Sequence, residues 1–310
     1  MSSATEQFTE SPVLTAIAIA YSNPDYSLIA DQVLPRVPSS GTFKYQVYDE
    51  AEAFTLPDTR VGRRSAPNQV EIEGTEQDGS TEEYGIDVPL DNKTIAEAKK
   101  NKWDPEKRAA ERATDIVLLD REVRTANLIK NPANYHADHV EALAGADMFT
   151  DPNSDPVTII EDLMATCWQR PNQITFGFGA WMAFRKHPKV VKAVHANSGD
   201  QGRASHQQVA DLLEVKRILV GESRVNIKRP GEDPVLARVW DNIVSGQFIN
   251  KTADTSGGIT FGYTAQNGKK VAGTMSANMG LRGGKLVRSG EDVRELIVAR
   301  RAGFLIQNAA

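Results

Sequence analysis

A chain of 310 residues has room for one large or two small domains and can bury a sizeable core. Its formal net charge of −5 argues against a dedicated nucleic-acid binder, which would carry a basic surface, and its single cysteine, Cys167, excludes an intrachain disulfide. No apolar run reaches about 18 residues, and the first residues, MSSATEQFTE, lack the basic start and apolar centre of a signal peptide, so a cytosolic product without a membrane span is expected.

Residues 1–40 read as a leading arm. Ser11-Pro12 is suited to open a helix running to Ala20, with Val13, Ile17 and Ala20 on one face. In NPDYSLIADQVLPRVP (23–38), Pro24, Pro35 and Pro38 limit any helix to about two turns. TFKYQVY (42–48) predicts a strand with Phe43, Tyr45 and Val47 on one face.

The next stretch, 49–92, is acidic, holds three arginines (Arg60, Arg63 and Arg64) and has no lysine. A loop this long in a compact domain is uncommon and usually functional or disordered. Its second half carries a strand pattern, with apolar Val70 and Ile72, then Tyr84, Ile86, Val88 and Leu90, at every second position. Gln77-Asp78-Gly79 lies between the two runs as a turn signal. A three-residue turn there sets Ile72 opposite Tyr84 and Val70 opposite Ile86; a two-residue turn would set both against polar or absent side chains. An isolated hairpin is marginal in water. The expectation is an arm that finds its partner on another subunit, against the plainer reading of a hairpin folded back on its own domain.

Asp104-Pro105 opens a predicted helix over 104–130, roughly 40 Å long at about 1.5 Å per residue, with Ala109, Ala113, Ile116, Leu119, Val123 and Ala126 on one stripe. From 155 onward α and β mix. Helices are expected at 155–170, 180–187, 188–196 and 207–213. Strands are expected at 173–178, 217–222, 235–240 and 247–250, with a loop at 197–204. Glycines crowd 256–284, and the chain closes on buried strands at 295–300 and 303–306.

Chemical sites are sparse. Gly177-Phe178-Gly179 between a strand and a helix resembles the start of a dinucleotide-binding turn, but the third glycine position holds Met182. A tight turn is the plainer reading. Asp151, Asn153, Asp155 and Asp162 have calcium-loop spacing, yet Pro156 stands where that loop needs glycine. They read as a polar turn and helix cap. His136 and His139, beside Asp138, lack a third ligand nearby and read as a solvated loop. Cys167 reads as a small core residue. No catalytic, cofactor or metal-ligating residue is assigned.

The order of these parts resembles the major capsid protein family of tailed bacteriophages, whose shell fold also occurs in encapsulins and the herpesvirus capsid floor. Four stretches carry the likeness: NPDYSLIADQVLPRVP (23–38), FTLPDTRVGRRSAPNQVE (54–71), TDIVLLDREVRTANLI (114–129) and ITFGFGAWMAFRKHPKV (174–190). The resemblance implies an α+β shell fold with an N-terminal arm (1–46), an extended loop (47–92), a peripheral domain (93–154) around a spine helix (104–130), an axial domain (155–285) and return strands of the peripheral domain (286–310). It implies hexamers and pentamers of the chain in an icosahedral shell around DNA, assembled in the host cytoplasm with a portal. A cement protein is left open. Some members lock the shell through a loop lysine; none lies between Gln46 and Asn92, so a noncovalent clasp is expected. Some carry a scaffolding domain ahead of the arm; here the arm begins almost at Met1, which implies a separate scaffold. An encapsulin-type compartment is the alternative within the fold, and a nucleotide- or metal-dependent enzyme a remote one. The intersubunit contacts expected are Arg60, Arg63, Arg64, Val70, Ile72, Tyr84 and Ile86.

Overall fold

The computed structural model describes residues 8–21, 27–48, 56, 58–63, 65–67, 75–195, 202–229 and 231–310. The leading arm contributes β1 (Thr9–Glu10), α1 (Pro12–Ala20), α2 (Ala30–Val33) and β2 (Arg36–Ser39). After β3 (Thr42–Val47) and β4 (Thr75–Ser80) come β5 (Glu82–Asp91), α3 (Asn92–Lys100) and the 26-residue α4 (Pro105–Lys130). The middle of the chain forms β6 (Val140–Ala142), α5 (Pro156–Thr166), β7 (Gln173–Gly177), α6 (Phe178–Phe184), α7 (Pro188–His195), α8 (His206–Leu212) and β8 (Arg217–Gly221). A hairpin of β9 (Arg224–Asn226) and β10 (Leu236–Arg238) precedes β11 (Val244–Gln247), β12 (Gly262–Asn267), β13 (Val271–Ala277), β14 (Gly284–Ile297) and β15 (Gly303–Gln307).

Among the described residues two mixed sheets organise the body. In the first, the 14-residue β14 is central. β5 runs antiparallel along one edge of it, while β12 and β13 run antiparallel along the other, end to end. Gly268, with φ +69°, makes the bend between those two. The leading arm lines their outer side, β1 antiparallel to β13 and β2 parallel to β12. The second sheet runs β6-β15-β11-β7-β8. Its core, with α5 to α8, is built from Ile174, Phe176, Trp181, Phe184, Phe304 and Ile306.

Helix α4 starts where expected. The Asp104 carboxylate accepts the backbone N–H groups of Glu106 and Lys107, and Pro105 occupies the first turn. Its buried stripe differs from the expected one. Ile116 is exposed and Leu119 and Val123 are half-buried, whereas Ala110, Thr114, Val117, Arg121, Glu122, Thr125 and Ile129 are buried with Ala109, Ala113 and Ala126. A pattern that counts only apolar positions rotates the face away from two charged residues that the fold takes inside. Near its start, α4 meets α1 and the first sheet through Ala18, Ala109, Ala110 and Ala272, small side chains that let the backbones approach closely.

The expected hairpin with a turn at Gln77-Asp78-Gly79 does not form. Those residues are extended in β4, which pairs antiparallel with β3, while β5 pairs with β14. Gly79 is opposite Phe43, and a Cβ there would lie 2.9 Å from the Phe43 ring. Its glycine makes room for an aromatic ring rather than for a left-handed turn. Polar β4 is held by its partner strand: the Lys44 ammonium pairs with the Glu76 carboxylate, and the Tyr45 hydroxyl donates to Gln77 Oε1 at 2.9 Å.

Other differences are smaller. The glycine-rich stretch contains β12 and β13, the short strands expected at 235–240 and 247–250 are Leu236–Arg238 and Val244–Gln247, and α5 stops at Thr166. The closing strands divide, β14 beside α4 and β15 in the second sheet between β6 and β11. The loop expected at 197–204 falls largely outside the described residues.

Candidate assembly surfaces and the buried charge hub

Each expected site has a definite place. Gly177 caps α6, and a Cβ on it would stand 1.9 Å from the carbonyl oxygen of Asp241; one on Gly179 would stand 1.8 Å from Asn242 Oδ1. Gly177 lets the 240–241 backbone press against the strand-to-helix turn, and Gly179 makes room for the Asn242 side chain. Asp155 caps α5 by accepting the Thr158 N–H, and Asp151 accepts the Asn153 N–H. His139 is buried rather than solvated. Its Nδ1 donates to the Gly303 carbonyl at 3.1 Å, and burial lowers its pKa. His136 Nε2 accepts from Arg301 Nη2 at 2.7 Å. The expectation of a solvated loop fails because this segment packs under β15. Cys167 lies in the core of the second sheet, where burial pushes its thiol up to about 12. Among the described residues no group of three His, Cys, Asp or Glu is placed to hold a metal ion, and no helix is long and apolar enough to cross a membrane.

Of the seven expected contact residues, Arg64, Val70 and Ile72 lie outside the described residues. Arg60 and Arg63 are exposed. Tyr84 and Ile86 belong to β5 and face α4, opposite Glu291 and Ser289 of β14, with the Arg124 guanidinium 3.5 Å above the Tyr84 ring. They are half-buried in this chain's own sheet. The β3–β4 ribbon also folds back onto its own body. Phe43 and Tyr45 pack on Tyr263, Ala265, Leu296 and Val298, on the face of the first sheet away from α4. Beyond the Val47↔Thr75 pair, every described residue between 56 and 67 is exposed, Leu56 at 88%.

The strongest polar constellation is internal. Glu122, fully buried on α4, accepts the N–H groups of Ile29 (2.9 Å) and Ala30 (2.8 Å), Trp240 Nε1–H (2.6 Å) and Ser223 Oγ–H (3.3 Å). Ile29, the residue before α2, supplies no side-chain cap, so a carboxylate from a distant helix caps it. Burial raises the Glu122 pKa even against these four hydrogen bonds. Arg121 next to it is also buried; its Nη2 donates to Thr264 Oγ1 at 2.9 Å and pairs with Asp31 at 2.8 Å. Asp31 also takes Arg36 Nε at 2.8 Å, and Arg36 Nη1 reaches Glu291 at 2.7 Å. Partial burial pushes the Asp31 carboxyl up, but Arg121 and Arg36 outweigh it and hold it below the usual range. The leading arm is thus bolted to α4 and β14 by charge. Sequence patterning missed this hub. Its one signal was an adjacent Arg-Glu pair on the side of α4 that the two flanking alanine rows enclose.

Two mixed sheets, an arm edging one of them, a long helix across it and a two-stranded ribbon packed on the sheet's other face define an α+β shell protein of the phage capsid class. No protein-family model matches the chain. It is 44% identical to the major capsid protein of Pseudomonas phage JBD67 over 304 residues, 97% of each chain. The chain therefore belongs to the phage major capsid protein family. Two solved structures share the fold: a phage-related protein from Bordetella bronchiseptica RB50 (TM-score 0.74, 22% identity, 98% of both chains) and the capsid of cyanophage P-SCSP1u (TM-score 0.57, 11% identity, 93% of this chain and 90% of that one).

Proposed function

We propose that this chain is the structural subunit of a phage head, assembling with copies of itself as hexamers and pentamers into an icosahedral shell that encloses double-stranded DNA without reading its sequence. Its role is mechanical, without catalysis. The observation that carries the reading lies in the acidic segment between Val47 and Thr75, where Leu56 and Val61 are exposed and covered by nothing described in their own chain. A second copy supplies that cover. The division into arm (1–46), extended loop (47–92), peripheral domain (93–154), axial domain (155–285) and return strands (286–310) describes how the parts serve the shell. A separate scaffold and a portal are the partners such a shell uses, with or without a cement protein, and the host cytoplasm is where it is built.

Electron microscopy of the purified chain tests this directly. Closed shells or capsomer rings are expected; a small oligomer with catalytic activity would overturn the reading. Within the arm, Arg60, Arg63 and Arg64 are assigned to carboxylates of an adjacent subunit, since the planar guanidinium fork suits interface pairs. Reversing Arg63 and Arg64 to Glu is expected to cut the yield of particles at least tenfold while the subunit stays soluble. Particles at normal yield from the double variant would remove that assignment.

A further inference from the structure

We propose that the β9–β10 hairpin is a contact between copies, seating the apolar pair Ile227 and Val235 against a second copy of this chain. The inference rests on the shell reading above and names one of the surfaces that would make it.

The argument begins with the pleat. Val225 is directly opposite Ala237, and the Ile227 N–H donates to the Val235 carbonyl at 3.0 Å one step further out. Side chains two residues apart share a face. Val225, Ala237, Ile227 and Val235 therefore form one apolar face along the hairpin. Its inner end is covered, since Val225 packs on the core around Trp240 and Ile243. The outer end is not: Ile227 is 63% exposed and Val235 45%. Single exposed apolar residues are ordinary. An aligned cross-strand β-branched pair that continues a buried seam into solvent is a face missing its other half.

The hairpin is rigid enough to act as a knob. Asn226 Oδ1 accepts both the Lys228 N–H (3.1 Å) and the Val235 N–H (3.0 Å), and Lys228 pairs with Glu232 across the loop at 3.6 Å. At the base, the Arg238 guanidinium lies 3.9 Å from the Phe178 ring and donates to the Glu222 carbonyl at 2.6 Å. The Val239 N–H donates to the Ser223 carbonyl, and Ser223 is itself bound to Glu122. The knob is therefore fixed to the charge hub, with its side chains ordered before any partner arrives.

Area selects the occupant. Two side chains fall far short of the roughly 800 Å² per partner that a standard interface buries. A separate soluble protein could not be held there. A further copy in a shell can, because each subunit is gripped at several places at once and small contacts act in concert.

The test removes the apolar pair while retaining the hairpin. The double variant Ile227→Lys with Val235→Glu places opposite charges across the strands, which supports the pairing; a second variant, Leu236→Asp, alters the reverse face of the hairpin alone and is expected to leave the shell yield at the wild-type level. Both subunits are expected to keep the wild-type circular dichroism and melting temperature, and the double variant to lose at least tenfold in shell yield by sedimentation. In the wild-type chain, amide exchange at 227 and 235 is expected to slow on assembly, a measurement that does not depend on any variant folding. Shells at wild-type yield from the double variant, or exchange at 227 and 235 unchanged by assembly, would overturn the inference. Failure of the wild-type chain itself to form shells in the same assay would instead overturn the shell reading on which it stands.

Discussion

Replacing Glu122 by Ala is expected to destabilise the unassembled subunit by about 4 kcal/mol, because it leaves buried donors from four residues without an acceptor. The cost exceeds that of a lost surface charge, since the site is fully buried. At roughly 1.5 °C per kcal/mol for a chain of 310 residues, the melting temperature should fall by about 6 °C. The loss should begin in the arm: the first amides of α2 would exchange early, before the second sheet does. A variant that melts within 2 °C of the wild type would show that the hub is not a keystone.

The pH dependence of the same site has a definite sign. Burial raises the Glu122 carboxyl in the folded chain. Its contribution to stability is therefore fully present below about pH 4.3, the unfolded value, and is lost as pH rises through the higher folded value. Asp31, Asp87, Asp91 and Asp155 act in the opposite sense. Their folded pKa values are lowered, so their contribution is present above about pH 3.9 and lost as pH falls through those values. Glu122→Gln removes only the first effect. Its deficit against the wild type should be larger at pH 4.5 than at pH 7, read as the difference between two melting curves.

Deleting residues 50–73 is expected to abolish shells and leave the subunit folded. The Val47↔Thr75 pair then closes over Tyr48, Asp49 and Gly74, a three-residue loop with glycine last, which an antiparallel ribbon accommodates. The body contacts of the ribbon, through Phe43, Tyr45 and Val47, remain. Circular dichroism and a melting temperature within about 2 °C of the wild type are expected, on the view that exposed segments contribute little to subunit stability, while sedimentation finds no closed particles. Normal shells from the deleted chain would mean that the arm is an ornament of the subunit and not its clasp.

Much of this architecture could be read from the residues, and the parts that could not share a physical cause. Helix α4 was visible because Asp104-Pro105 starts it and Asn131-Pro132 ends it, local signals that need no tertiary context. The acidic stretch 49–92 stood out by its length and charge. Its strand pairing did not, because Gln77-Asp78-Gly79 has turn chemistry and only the Phe43 ring, thirty-six positions earlier, makes it a strand. Arg121 and Glu122 were passed over for a related reason. A charged residue scores as surface until its partners are known, and those partners, Ile29, Asp31, Thr264 and Trp240, come from three distant segments. The glycines of 256–284 hid two strands because a glycine inside a strand and one in a turn look alike. Gly273 is a case in point, since a Cβ on it would meet the carbonyl of Thr9 at 2.3 Å.

The position of β14 has a consequence for how the molecule is made. It is the middle strand of the first sheet, and β15 is an inner strand of the second, yet β5, β11, β12 and β13 all come before them in the chain. Until β14 is made, β5 has no partner strand, and β12 and β13 have only the short strands of the leading arm. Until β15 is made, β11 lacks one of its two neighbours. Neither sheet can close before these strands emerge, with the slow search that long-range pairing entails. A nascent chain without them cannot present a finished edge to a neighbour, so the order of synthesis itself keeps half-made subunits from premature pairing.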